Sequence, residues 1–287
     1  AIGFQEVIES SAAAVFDLED VFSDPNGDSL TYAAVCDNTN VLSITVSDGH
    51  VLSVTPLLRG DATVTVTAAD NVSTSAPMSF RVLVYPEAFS AVGDTYSFTE
   101  WSTNEPTGSY PEHMIFLQGE QNDSGLTTDL RVPYHIPAAD AAQAQDASYP
   151  YAATSRTRLS GKGTNGISFI NTGRGRDLGA ALLALNTRNA TNATVAWVGG
   201  TVATNVRVYA IRLQYRVGTS GGFNDVLDGT NVVEYVRNAT AGHEQVFGPV
   251  ALPAEAPDQA YVQILWRYYL VSGASGSRAE LRLDEIQ

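Results

Sequence analysis

Val206-Arg-Val-Tyr-Ala-Ile-Arg-Leu-Gln-Tyr-Arg-Val217 and Val262-Gln-Ile-Leu-Trp-Arg-Tyr-Tyr-Leu270 read as two long β-strands. In the first, Tyr209, Ile211, Leu213, Tyr215 and Val217 share one face, and Arg212, Gln214 and Arg216 share the other. In the second, Val262, Ile264, Trp266, Tyr268 and Leu270 oppose Gln263, Leu265, Arg267 and Tyr269. Apolar and polar residues alternating with period two describe a strand with one buried and one wet face. Further strands are expected at 166–171, 178–186, 194–198, 232–237, 244–250 and 278–286. Long antiparallel strands with one apolar face predict a jelly-roll β-sandwich over residues 94–287.

Shorter strands fill the first third of the chain. Leu42, Ile44 and Val46 alternate with Ser43 and Thr45; Val64 and Val66 alternate with threonines; Phe80, Val82 and Val84 alternate with Ser79, Arg81 and Leu83. Turn residues stand between them at Asp48-Gly49 and Arg59-Gly60-Asp61. This spacing predicts an immunoglobulin-like sandwich of about seven strands over 1–86. A linker is expected at 87–93, so the whole chain is read as all-β in two domains. Residues 101–160 carry Pro106, Pro111, Pro133, Pro137 and Pro150 with few periodic runs, and Ala-rich 138–147 predicts one short helix.

Charge narrows the partners. The net charge is −15, and residues 1–93 hold 12 acids against Arg59 and Arg81 alone. Such a chain repels nucleic acid and anionic lipid and favours divalent cations. Lys162 is the only lysine, so the remaining bases are arginines, suited to forked pairing with carboxylates. Cys36 is alone, which rules out an intrachain disulfide and suits a small core residue. No apolar run reaches 18 residues, so no transmembrane helix or membrane insertion is expected. Ala1 fits a mature end left by signal cleavage, and secretion is expected. Asn71, Asn122, Asn189, Asn192 and Asn238 head Asn-x-Ser/Thr triplets, as chance supplies in a Thr- and Asn-rich chain.

Phe22-Ser-Asp-Pro-Asn-Gly-Asp-Ser-Leu-Thr-Tyr32, followed by Val64-Thr-Val-Thr-Ala-Ala-Asp70, resembles the cadherin-like repeat of bacterial surface and secreted proteins. Gly166-Ile-Ser-Phe-Ile-Asn-Thr-Gly173, Tyr209–Val217 and Val271–Ile286 resemble a β-sandwich module of secreted bacterial multidomain proteins. The latter is similar in general shape to jelly-roll carbohydrate-binding modules, whose last strand commonly reads Leu-Asp-Asp/Glu-Ile, as Leu283–Ile286 does here. These resemblances imply spacer, adhesion and glycan-binding roles.

Three groups of residues offer chemistry. Asp24, Asn26 and Asp28 present oxygens at alternate positions and can wrap Ca²⁺, with Asp17, Glu19, Asp20 and Asp70 available to complete a cage. The same residues equally make an Asx-rich turn that needs no ion. By resemblance, a structural Ca²⁺ joins the last strand at Asp284 and Glu285 to a first strand near Glu100; pairing with Arg282 or Arg278 is the alternative. Arg212, Gln214, Arg216, Gln263, Arg267 and Tyr269 are expected to line the open face of one sheet, where an aromatic ring and planar polar groups suit a sugar. Arginine would also suit uronates or sulfated sugars. A solvated face of cross-strand ion pairs is the plainer reading. Trp101, Trp197 and Trp266 are assigned to core.

Catalytic patterns fail. Gly218-Thr-Ser-Gly-Gly222 fits G-x-S-x-G but lies in a glycine-rich turn with no helix after it. His50, His113, His135 and His243 show no zinc spacing. Arg278-Ala-Glu-Leu-Arg282 superficially matches a strand of some alginate lyases, but the histidine base is missing. The expected protein is an extracellular, non-catalytic binder of polysaccharide or cell-surface glycan. The alternative is a structural subunit that self-associates through sheet edges into a filament, sheath or surface layer, with Ala1–Ile8 as a donor strand.

Overall fold

Strict alternation over Gly60–Ala69 sets the pattern of the N-terminal unit. Ala62, Val64, Val66 and Ala68 are buried, and the threonines between them face outward. The computed structural model describes residues 1–105, 109–119, 136–137, 157–171 and 178–287. These divide into two compact units, Ala1–Glu87 and Ala88–Gln287. Among them every regular element is a strand, so the chain is all-β. The helix expected at 138–147 lies outside the described residues, as do Asn122 and His135.

The first unit holds β1 (Gln5–Ile8), β2 (Ala14–Asp17), β3 (Thr31–Cys36), β4 (Leu42–Ser47), β5 (Val51–Pro56), β6 (Gly60–Ala69) and β7 (Met78–Tyr85). One sheet runs β1-β7-β6-β3 and the other β2-β5-β4. Their inner faces meet in a core of Leu18, Leu42, Leu52, Val54, Val64, Val66, Phe80, Val82 and Val84. Asp48 and Gly49 take φ of 50° and 79°, and the His50 N–H closes the turn on the Ser47 carbonyl at 3.1 Å. Positive φ at both central residues matches the twist of the hairpin it joins. Cys36 is half-buried and packs on the core, and burial raises its thiol pKa. The segment expected as a donor strand is occupied: Gln5–Ile8 pairs in parallel with Val82–Tyr85 of its own sheet.

The second unit holds β8 (Phe89–Ser90), β9 (Met114–Gly119), β10 (Ile136–Pro137), β11 (Thr157–Gly161), β12 (Ile167–Asn171), β13 (Leu178–Asn186), β14 (Thr194–Ala203) and β15 (Val208–Val217). It continues through β16 (Asn224–Asp225), β17 (Leu227–Asp228), β18 (Asn231–Val232), β19 (Glu234–Val236), β20 (Glu244–Ala251), β21 (Val262–Ser272) and β22 (Glu280–Asp284). The stretch expected as a linker contributes β8, which pairs in parallel with Leu185 and Asn186. One sheet runs β10-β9-β13-β21-β15-β16 and the other β11-β12-β22-β14-β20. Their facing sides meet through aromatic rings. Tyr268 stacks on Tyr209 at 4.5 Å and on Phe169 of the opposite sheet at 5.8 Å, and its hydroxyl donates to the Ala279 carbonyl at 2.7 Å. Trp266 and Trp197 are fully buried.

The expectation of one wet face on β15 and β21 is corrected. Gln214, Arg216, Gln263, Arg267 and Tyr269 are 0%, 2%, 0%, 0% and 8% exposed. The chain following β15 accounts for part of the cover: Phe223 is buried, with the Arg216 guanidinium 4.5 Å and the Arg267 guanidinium 6.0 Å from its ring centre. Period-two polarity therefore marks an internal polar layer. Guanidinium planes tolerate this because they stack on rings and fork onto acceptors.

Candidate functional site

The polar layer is a bonded network. Arg267 Nε donates to Gln214 Oε1 at 2.7 Å, and Gln214 Nε2 donates to Asp225 Oδ1 at 2.7 Å. Arg216 Nε donates to Gln263 Oε1 at 2.6 Å. At the edge, Arg212 holds Glu234 at 2.7 Å and Asp225 at 3.3 Å, and donates to the Tyr269 hydroxyl at 2.8 Å. That hydroxyl donates in turn to Glu234 Oε2 at 2.7 Å. Burial, reinforced by Glu234, raises the Tyr269 pKa. The structure thus brings the six residues together, but five of them as buried packing and Arg212 at the half-buried edge. Gln214, Arg216, Gln263 and Arg267 are enclosed, so a sugar hydroxyl cannot reach them, and the partly exposed Arg212 is already engaged by Glu234, Asp225 and Tyr269.

The acidic turn is also internally bonded. Asp24 Oδ1 accepts the Asn26 N–H at 2.7 Å and the Asp28 N–H at 3.1 Å. Asp70 Oδ1 accepts the Val72 and Ser73 N–H groups at 2.6 Å each, and these bonds lower its pKa. Asp24 and Asp70 line one shallow hollow with Ser73 and Ser75; Asn26 and Asp28 do not. Among the described residues, the acids and imidazole whose ligand atoms converge within 4.8 Å are Asp17, Glu19 and His50, all at the surface. Asp24→Ala removes an acceptor for two N–H groups and should cost about 1 kcal/mol in a denaturant titration, whereas Asp24→Asn keeps the acceptor and the stability. A Ca²⁺-dependent rise in Tm that both substitutions abolish would mark an ion instead.

On the last strand, Asp284 Oδ2 accepts Arg282 at 2.7 Å and Oδ1 accepts the Glu285 N–H at 2.9 Å. Burial raises the Asp284 pKa against these bonds. Where a first strand is expected near Glu100 there is an isolated bridge: Phe98 and Ile286 exchange backbone hydrogen bonds of 2.9 Å. Glu100 stands two residues beyond and is exposed.

Beside that pairing the surface opens into a cleft of 420 Å³, lined by Phe89, Tyr96, Phe98, Glu100, Trp101 and His113, with Pro111 and Glu112 on its rim segment. Its volume is that of a small-ligand site. Phe89, Tyr96 and His113 meet edge-to-face at 5.5, 5.6 and 6.5 Å between ring centres. Phe89, Tyr96, Trp101 and His113 are half-buried, so each has some surface in water.

Every wall of the cleft is tied down. Phe89 is held by β13. Tyr96 donates its hydroxyl to the Glu112 carbonyl at 2.9 Å. Trp101 and Gly163 exchange backbone bonds of 3.0 and 2.8 Å. His113 sits at φ 59° and its carbonyl accepts the Ala184 N–H at 3.0 Å. A left-handed conformation is unfavourable for a residue with a side chain, and the contacts of this turn hold it. Tyr96 also borders a second hollow of 380 Å³ with Asp94, Asn192 and Gln287.

Sequence reasoning missed this cleft because it placed all three tryptophans in the core. A usable signal was present. Trp197 and Trp266 sit in alternating apolar strands, whereas Trp101 stands between Glu100 and Ser102-Thr-Asn-Glu105.

Tyrosine ionisation gives the unit an alkaline limit. The Tyr215 hydroxyl donates to Glu255, and burial followed by that bond pushes its pKa from 10.0 up to about 12. The folded value lies above the unfolded one, so the contribution is intact below pH 10 and is lost as pH rises towards 12. Stability should be level up to the lower bound and fall across that window; Tyr215→Phe should remove part of the fall.

No family model matches the chain, and no curated protein matches it. Solved structures similar to it include a carbohydrate-binding module of the β-sandwich superfamily, at 11% identity and TM-score 0.30 over 97% of this chain and 98% of that one. The secreted serine protease VesC from Vibrio cholerae follows at 8% identity and TM-score 0.32, over 99% of this chain and 48% of that one. The CBM51-2 domain in complex with GlcNAc, with INT domains of ZmpB from Clostridium perfringens, matches at 10% identity and TM-score 0.19, over 85% and 41%. At these scores the likeness carries no inference about ligand or activity. Among the described residues no helix is long and apolar enough to cross a membrane.

Proposed function

We propose that the chain is an extracellular, non-catalytic glycan-binding protein whose ligand lies in the cleft of Phe89, Tyr96, Trp101 and His113. The observation that carries this reading is the cleft itself: partly exposed rings, held by both sheets of the second unit, with Glu100 and Glu112 in the same lining. Sugars need an apolar ring against their C–H face and acceptors at their edge. Fixed walls leave little ordering to offset on binding.

Assembly through sheet edges has less support. Gln5–Ile8 is already hydrogen-bonded in its own sheet. Pro249, on β20 at the end of its sheet's strand order, has no N–H to give a partner strand.

Trp101→Ala should weaken retardation in a polysaccharide affinity gel about tenfold or more, as removal of a central aromatic anchor does. The ring is half-buried with its Nε1 enclosed, so the variant's melting curve is measured as well and binding is compared where both proteins are folded. Unchanged retardation on every polysaccharide that binds the parent would overturn the assignment.

A further inference from the structure

The charge of the cleft points beyond glycans in general. Among the described residues, its lining includes Glu100 and Glu112, its one basic side chain is His113, and no arginine or lysine lines it. Glu112 projects into water with its side chain 86% exposed, and its Oε1 lies 3.7 Å from His113 Nε2. Lys162, adjacent to the Gly163 that pairs with Trp101, is held by Glu280 at 2.8 Å. The arginines that would fork onto a uronate or sulfate, Arg212, Arg216 and Arg267, lie in the bonded layer of β15 and β21, away from this cleft's lining.

We infer that the cleft selects amino sugars bearing a free ammonium group, the chemistry of de-N-acetylated hexosamine polymers. This rests on the glycan-binding reading of the same cleft and narrows it. An ammonium offers three donors and a full charge to carboxylates that can only accept. Charge-assisted bonds are roughly twice as strong as those to a neutral hydroxyl. Ring faces attract cations further, and Phe89, Tyr96 and Trp101 supply three such rings. N-acetylation deletes the charge and two of the donors. A uronate would bring a third carboxylate beside two.

The experiment compares a glucosamine hexamer, its fully N-acetylated counterpart, a neutral glucose hexamer and a hexauronate, each titrated calorimetrically into the full chain at low ionic strength and mildly acidic pH. The glucosamine hexamer should bind about five- to tenfold tighter than the N-acetylated one, and the uronate weakest. The double substitution Glu100→Gln with Glu112→Gln should bring the first two to parity. Both residues are at the surface, so the variant keeps its fold, which its melting curve checks. Equal affinity of the parent for all neutral and cationic oligomers would overturn the inference and leave the glycan reading standing. A preference that survives the double substitution would overturn it too, as general attraction to a chain of charge −15. Binding of none of the four would count against both.

Discussion

Tyr269→Ala should destabilise the second unit by about 3–5 kcal/mol, the range for truncating a buried aromatic. The ring lies inside the polar layer, and its hydroxyl links Arg212 to Glu234. Alanine would leave a cavity and one fewer partner for each of two charged groups. Tyr269→Phe isolates the second effect and should cost about 1–2 kcal/mol. Trp266→Ala, from the opposite face of the same strand, should cost as much as Tyr269→Ala, because both faces of β21 are interior. Denaturant titrations of the three variants measure this. A Tyr269→Ala protein as stable as its parent would place that face in solvent and return the six-residue layer to candidacy as a binding surface.

Gly161→Ala should have the next largest effect, about 3 kcal/mol with loss of binding. A Cβ at position 161 would stand 2.0 Å from the Ser102 carbonyl oxygen and 2.6 Å from that of Trp101. These are backbone atoms, so no rotamer change relieves the clash, and overpacking against backbone falls at the upper end of its range. The segment carrying Trp101 would have to move away from β11. Gly163→Asn is the control. Position 163 has φ 62° and open space around its Cβ, a conformation asparagine tolerates. It should lose little stability and keep the cleft. A Gly161→Ala variant that binds and melts like its parent would contradict the close approach on which the wall depends.

Much of the fold was legible because burial and period coincide in most strands. Thr63, Thr65 and Thr67 face out and Val64 and Val66 face in, as alternation requires. The expected strands at 166–171, 178–186 and 262–270 match β12, β13 and β21 to within a residue or two. The Asp48-Gly49 turn was readable from the φ its residues tolerate. What failed was the inference from polar to wet. Arg212, Gln214 and Arg216 alternate with apolar residues as a surface strand does, yet Arg216 lies against Phe223, Gln214 bonds Arg267 and Asp225, and Arg212 bonds Glu234 and Tyr269. Period two records that two faces differ; it does not record that a later segment folds over one of them. The cleft was invisible for a different reason. Phe89, Trp101 and His113 are brought together by pairings with β13, Gly163 and Ala184, distant in sequence and carried by backbone atoms.

The central claim is that ligand enters at Trp101 and not at the layer of β15 and β21. The chain has three tryptophans, so a nitrogen-15 correlation spectrum contains three indole signals, and Trp101→Phe assigns the one that matters. All three indole nitrogens are enclosed, but the Trp101 ring is part-exposed and lines the cleft, whereas Trp197 and Trp266 are buried entirely. Titration with a polysaccharide that the affinity gel shows to be retained should shift the Trp101 signal progressively while the other two stay in place. Saturating ligand that leaves the Trp101 indole unmoved, or moves Trp266 in its stead, would contradict the account.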